Sequence, residues 1–501
     1  MPDTLSNIGH LIKELRERRN ITQSEFAEKL GTTQSAIARM ESGEQNLTTE
    51  MISKISEALG REIVSVSTGA INFQIDGGHK LSGSVITKTS KNGAMGVICA
   101  SLLNQGQTII KNVPKIEEVY RMIEVLQSIN VSVKWVNNDL EINPGKITLK
   151  TINRESAEKT RSIIMLIGPL IHFLKKFSLP QSGGCKLGAR TLTPHFFALE
   201  NFGVKIETKS TSYEISSEKL EPAEFPLYES GDTVTENTIM AAALIPGKTV
   251  IKFASANYMV QDVCFFLEKC GVKIDGIGTT TLTVHGIERI NMPVTYYLAE
   301  DPIDSMFFIA AGIVTNSAME IKRCPIDFLE IELLKLEKMG LKYRRTKTYK
   351  ALNGQANLVD LKLFPSKLKA LEEKIECRPY PGLNMDNLPF FGIIATQAEG
   401  TTLLHDWPYE KRAIHIKDID KLGADTNLAD PHRLFITGVT KLKPAEVICP
   451  PALRPAAILL IGMLAAKGKS ILRNVYSINR GYEEITERLN SLGAKIKILR
   501  D

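Results

Sequence analysis

The sequence is poor in several features that would settle its class at once. Its seven cysteines (99, 185, 264, 270, 324, 377 and 449) are odd in number, scattered and free of any CxxC pair, which argues against a disulfide framework or a thiolate metal site. They read as the reduced thiols of a cytoplasmic protein. Long apolar runs are missing too: stretches such as Ala456 to Ala466 are too short to span a bilayer, and no charged segment followed by an apolar one opens the chain. The expectation is a soluble chain without membrane contact. Trp135 and Trp407 are the two tryptophans, too few for a stacking platform for single-stranded nucleic acid. His405, His415 and His432 show no metal-binding spacing, so no metal is expected. A formal charge of +6 over 501 residues predicts mild anion preference at most.

With 501 residues the chain exceeds a single hydrophobic core. Residues 1–68 read as short helices without strand signals. Thr22 followed by Glu25 is a capping box opening a helix that Gly31 ends, and Thr33 to Glu41 opens a second, stopped by Glu41-Ser42-Gly43. Ala27, Leu30, Ile37 and Met40 fall at helical spacing for a shared core. This pattern resembles the helix-turn-helix domain of phage-repressor type. The resemblance implies a second helix in the major groove of double-stranded DNA, with Gln23, Gln34, Ser35 and Arg39 as contacts and a homodimer as the binding form. Residues 1–68 hold eight Lys/Arg against ten Asp/Glu, so phosphate contact needs a local patch, and a protein-contact or dimerisation role stays open. Ser65 to Gly69 reads as a linker.

Beyond it one unit recurs with a period of about 70 residues. An apolar helix ends in a turn, a β-rich run follows, and an amphipathic helix closes on a glycine signature. The turns include Gly106-Gln107-Thr108, Gly247-Lys248-Thr249, Gly400-Thr401-Thr402 and Gly468-Lys469-Ser470, and the closings run from Asn130-Val131 to Gly493-Ala494-Lys495-Ile496. One such unit cannot bury both faces of its sheet, so six must pack together in an α/β fold. The apolar helices start near Lys91-Asn92, Arg161, Glu236-Asn237, Asp301 with Asp304, Asp386-Asn387 and Arg454. Acids and amides there are equally ordinary caps. Cations at three helix starts oppose the helix dipole and point to a compensating anion.

Cys185 lies in Ser182-Gly183-Gly184-Cys185-Lys186-Leu187-Gly188-Ala189-Arg190. Glycines free this backbone to approach a ligand, while Lys186 and Arg190 favour a thiolate able to exchange protons near neutral pH. The other reading is a free cysteine in a glycine-rich turn.

Taken with Ser90-Lys91-Asn92, Thr235-Glu236-Asn237, Leu453-Arg454 and Ile478-Asn479-Arg480-Gly481-Tyr482-Glu483, the cysteine loop resembles the enolpyruvyl transferases. Within them it resembles the UDP-N-acetylglucosamine 1-carboxyvinyltransferase branch, which opens peptidoglycan synthesis, over about residues 70–501. The resemblance implies a two-domain inside-out α/β barrel of six repeated units. One domain would span 91–299, and 70–90 would join 300–501 in the other. It implies no cofactor beyond phosphoenolpyruvate as co-substrate. Cys185 would be the acid of the addition step and Asp386 the base, with Lys91 as a further catalytic group. Lys91, Arg161, Arg190, Arg454 and Arg480 would hold the phosphate and carboxylate. Asn92, Arg190, His195, Arg412 and Asp386 would meet the nucleotide sugar.

Three positions depart from the family pattern. Ala452 stands where an aspartate precedes Leu-Arg. Glu229-Ser230-Gly231-Asp232-Thr233-Val234 replaces a lysine and a Ser-Val-Gly turn on the diphosphate, and Thr191-Leu192-Thr193-Pro194 replaces Pro-Val-Asp-Leu. These leave a second reading in view, a transcription regulator whose transferase-like part senses phosphoenolpyruvate or a nucleotide sugar.

Overall fold

Helices that are apolar on every side cannot sit at a surface, and this chain has several. Lys91–Ala100, Asp232–Ala243, Pro302–Val314, Leu388–Ala395 and Leu453–Ala465 are buried along nearly their whole length, as a helix without a polar face must be. The computed structural model describes residues 9, 12, 13, 15–17, 21–42, 51, 54, 55, 58, 71–181 and 191–500. These fall into two compact units, residues 1–72 with 498–501, and 73–497.

In the large unit six sheets enclose the buried helices. The strands alternate buried and exposed residues, as in Thr108–Lys111 and Val131–Val136, so one face meets the helices and the other water. Five sheets share one plan, an antiparallel body with a short parallel strand added at its edge. Gly247–Lys252 pairs antiparallel with Thr281–Gly286 and parallel with Glu224–Pro226. The same relation joins Gly468–Arg473 to Ile71–Gly77 and Glu446–Ile448, and Thr108–Lys111 to Asp139–Pro144 and Val294–Tyr297. The sixth sheet is three-stranded, Lys176–Pro180, Ser212–Ser217 and Val204–Thr208. This is the six-unit α/β architecture, with helices inside and sheets outside.

Three of the sheets draw their strands from between Thr108 and Tyr297, and three from Ile71–Ile86 together with Glu320–Arg500. The chain crosses between these sets twice, and the crossings lie side by side. Ser90 N donates to Ala299 O, Asp301 N donates to Lys88 O, and Thr89 bridges Glu300. Lys91 therefore opens its helix directly after a crossing. Gly96 lets that helix close up on its neighbours, since a Cβ there would lie 2.6 Å from Glu236 Oε1 and 2.7 Å from Val263 Cγ2.

One expectation shifts. Glu236 and Asn237 do not start their helix, which begins at Asp232, because Gly231 is its N-cap. Both lie a turn inside and are buried.

The N-terminal unit follows the sequence closely. Thr22 caps Gln23–Leu30 through a full capping box with Glu25, and Gly31 ends it at φ 62°. Thr33 caps Gln34–Glu41. Ile12, Leu15, Phe26, Leu30, Ile37, Met40 and Ile55 form the core. Beneath it lies a buried ion pair, with Arg16 Nε 2.5 Å from Glu41 Oε1 and Arg16 Nη2 2.9 Å from Glu41 Oε2.

Candidate active site

Lys91 is the first residue of its helix, capped by Ser90, whose Oγ accepts from Gly93 N. Its ammonium opposes the helix dipole, and a carboxylate compensates it: Lys91 Nζ lies 2.5 Å from Glu118 Oε2. Arg480 Nε reaches the same oxygen at 3.5 Å. Glu118 is the second residue of Glu117–Ser128 and is buried. Burial pushes its carboxyl up, but the charges of Lys91 and Arg480 outweigh that and hold it below the usual carboxylate range.

A second charged group surrounds Asp386. Arg412 Nη1 lies 3.5 Å from Asp386 Oδ1, and Arg454 Nη2 lies 3.4 Å from Asp386 Oδ2. The arginine side chains are 1% and 9% exposed, while that of Asp386 is 26% exposed, so the carboxylate is the part open to a substrate. Each arginine is fixed from behind. Asp406 takes Arg412 in a fork at 2.5 and 2.8 Å, and the guanidinium lies 3.9 Å from the Tyr409 ring centre. Arg454 Nη1 donates to the Tyr482 hydroxyl at 2.8 Å.

Tyr258 meets Asn92, the residue after Lys91. Its hydroxyl accepts from Asn92 Nδ2 at 3.2 Å. Burial first, and the charge of Asp301 second, push this hydroxyl well above its ordinary range, so it remains an O–H; Asp386 and Arg454 also lie within electrostatic reach. Tyr258, Glu118 and Asp406 were not singled out from the sequence. Glu118 reads there as an ordinary first-turn acid, and Tyr258 as an apolar helix residue.

His195 is placed differently from its expected role as a nucleotide-sugar contact. Nδ1 faces Asn237 Nδ2 at 3.2 Å and Nε2 faces Thr233 Oγ1 at 3.3 Å. Both ring nitrogens have protein partners, so the geometry gives the ligand assignment no support. Burial, then the charge of Arg161, lowers its pKa to about 3. Arg161 opens the 3-10 helix Arg161–Leu166 on this side of the molecule.

In the N-terminal unit Gln34 Nε2 donates to Gln23 Oε1 at 2.7 Å, and Gln23 Nε2 donates to Glu41 Oε2 at 2.9 Å. Gln34, Ser35 and Arg39 are exposed. The second helix thus presents polar side chains in a fixed arrangement.

Residues 75–489 match the family model of EPSP synthase (3-phosphoshikimate 1-carboxyvinyltransferase), and residues 12–65 match that of a helix-turn-helix. A UDP-N-acetylglucosamine 1-carboxyvinyltransferase of Treponema denticola is 32% identical over 85% of this chain and 99% of its own length. One of Bradyrhizobium diazoefficiens is 33% identical over 85% and 98%. The chain belongs to the enolpyruvyl transferase family. Among solved structures it is similar to the enolpyruvyl transferase NikO from Streptomyces tendae, with a TM-score of 0.75 at 22% identity over 86% of this chain and 100% of that one. EPSP synthase from Acinetobacter baumannii gives 0.67 at 18% over 86% and 100%.

The fold gathers Lys91 and Arg480 on Glu118, Arg412 and Arg454 on Asp386, and Asn92 against Tyr258. Cys185 and Arg190 lie outside the described residues. Among the described residues no helix is long and apolar enough to cross a membrane. The other six cysteines are buried and unpaired. For Cys99, Cys264, Cys270, Cys324, Cys377 and Cys449 burial is the first cause of a raised thiol pKa, which suits packing rather than chemistry.

Proposed function

We propose that the chain transfers the enolpyruvyl group of phosphoenolpyruvate to a hydroxyl of UDP-N-acetylglucosamine or a related nucleotide sugar, releasing phosphate. Its helix-turn-helix unit binds double-stranded DNA through Gln23, Gln34, Ser35 and Arg39, as a dimer. The observation that carries the catalytic part is the open carboxylate of Asp386 steered by two buried arginines.

In this reading Asp386 takes the proton of the acceptor hydroxyl while that oxygen bonds to C2 of phosphoenolpyruvate, and Cys185 delivers a proton to C3. Lys91 and Arg480, with Arg161 and Arg190, hold the phosphate and carboxylate, where fixed cations in a closed site stabilise the developing charge. Breaking the C2–O bond releases phosphate, and loss of a C3 proton restores the vinyl group.

Asp232 bears on the acceptor. It opens Asp232–Ala243 and is held by Ser255 Oγ at 2.6 Å and Asn257 Nδ2 at 3.2 Å. With Glu229 it puts negative charge where the family resemblance implies a diphosphate, which favours a related acceptor over UDP-N-acetylglucosamine itself. Ala452 supports the second reading, a sensor. It is 1% exposed and packs with Tyr409 and Met385 in an apolar cluster, so no acid serves the cleft from that position.

The test is phosphate release by the full chain given phosphoenolpyruvate and UDP-N-acetylglucosamine, with Cys185→Ala as control. Release that disappears in the variant supports the transferase. Absent release, with either ligand raising Tm and altering operator affinity, supports the sensor.

A further inference from the structure

Glu118 has no part in the chemistry above, yet it occupies the two cations on which that chemistry depends. It approaches Lys91 from Glu117–Ser128, and Arg480 approaches it from just beyond Tyr476–Asn479. The two cations come from opposite sides of the chain crossings at residues 88–90 and 299–301, so one carboxylate oxygen joins the two halves of the large unit. At 7% side-chain exposure a carboxylate stays ionised only if cations compensate it. The dependence also runs the other way. Lys91 at a helix N-terminus needs an anion, and Glu118 supplies one.

We propose that Glu118 is an internal competitor for the substrate anion, a positioning residue that aligns Lys91 and Arg480 and yields them when a phosphate or carboxylate binds. The inference rests on the assignment of Lys91 and Arg480 as anion contacts and goes beyond it. Any anion that reaches both cations comes close to a like charge already seated on them. Substrate affinity is then a difference between two ion-pair arrangements, and Glu118 sets its lower half. The same exchange removes the bond between Glu118 and Arg480, one of the contacts between the two halves beside Lys115 N to Glu483 and the Tyr258–Phe328 ring pair.

The experiment is calorimetric titration of inorganic phosphate, then phosphoenolpyruvate, into the full chain and into Glu118→Gln at pH 7. Removing a like charge at this range should tighten phosphate binding by about tenfold or more, and binding measurable in Glu118→Gln alone supports the proposal equally. A role confined to holding Lys91 in place predicts the reverse, so unchanged, weaker or absent phosphate binding by a folded Glu118→Gln overturns it. Should that variant not fold, Glu118→Asp keeps the charge and withdraws it by one methylene. Its phosphate Kd should lie below that of the parent, and a Kd equal or higher overturns the proposal. Arg480→Ala separates this failure from that of the underlying assignment, because phosphate binding indifferent to Arg480 would refute the anion site itself.

Discussion

The arginine behind the candidate base offers the sharpest test of the site's construction. Arg412 and Asp406 are each 1% exposed, and their fork has contacts of 2.5 and 2.8 Å. Asp406→Asn keeps the shape but removes the charge, leaving a buried guanidinium whose nearest remaining carboxylate is Asp386 at 3.5 Å. Breaking one side of a buried pair costs about 3–5 kcal/mol. Partial compensation by Asp386 places this case near the lower end, at about 3 kcal/mol. For a unit this large, roughly 1–2 °C per kcal/mol converts that to a fall in Tm of about 3–6 °C. The assay is scanning calorimetry of Asp406→Asn, Arg412→Met, and Asp406→Leu combined with Arg412→Met. The combined variant should be less destabilised than the two single effects added, because an apolar pair leaves no orphaned charge. A Tm within 1 °C of the parent for Asp406→Asn, or strict additivity in the combined variant, would refute the view that Arg412 is held chiefly by this pair.

Two further outcomes follow from groups the fold buries. His195 has its pKa lowered to about 3 and His172 to about 4, each by burial first. A depressed folded-state pKa means the unfolded chain binds the extra protons, so stability is full above about pH 6.5 and falls as pH drops toward 4, by about 1.4 kcal/mol per pH unit per histidine. His195→Gln should lose one proton of that slope in denaturant titrations between pH 6 and 4.5; an unchanged slope would show His195 is not buried neutral. In the N-terminal unit, Glu41→Gln takes from Arg16, whose side chain is 7% exposed, its closest carboxylate and leaves it Glu17 at 3.5 Å and the Ile21 carbonyl. The cost of about 3 kcal/mol should lower the calorimetric transition of this small unit by about 12 °C or more and leave that of the large unit in place, whereas equal shifts in both would contradict the assignment.

The fold was legible because it is written six times. Glycine turns before four of the strands and closings after the amphipathic helices, most of them on glycine, mark the same unit at a period near 70 residues, and only the whole set buries the apolar helices. Lys91 and Arg454 were legible for a related reason, since a cation at the start of an apolar helix opposes its dipole and invites a cause, whereas Asp386 was assigned from the family resemblance. Glu118 and Asp406 were not legible. An acid in the first turn of Glu117–Ser128 satisfies every local preference, and its meeting with Arg480 spans more than 350 positions. Tyr258 hides in the same way, because its hydroxyl becomes informative only when Asn92 is placed beside it. His195 was expected at the nucleotide sugar from the family resemblance, and in helix Thr193–Glu200 its ring meets Asn237 and Thr233.

These omissions share one physical cause. A cleft that binds a polyanion must carry several cations, and cations left close together without counter-charges repel and lose hydration without return. The described residues answer that difficulty with side chains: Glu118 serves Lys91 and Arg480, Asp406 serves Arg412, and Asp386 stands between Arg412 and Arg454. The arginines at Asp386 can stay in place during turnover, because Asp406 and Tyr482 secure them from the far side. Among the described residues Lys91 has Glu118 as its carboxylate partner. With Ala452 offering no second acid, the proposed reading has the lysine assigned to the phosphate held by a group that would also release it. If Lys91 and Arg480 hold the anion as proposed, binding is an exchange at Lys91 and an addition elsewhere, so variation at position 118 should tune affinity for phosphoenolpyruvate where variation at position 406 tunes stability.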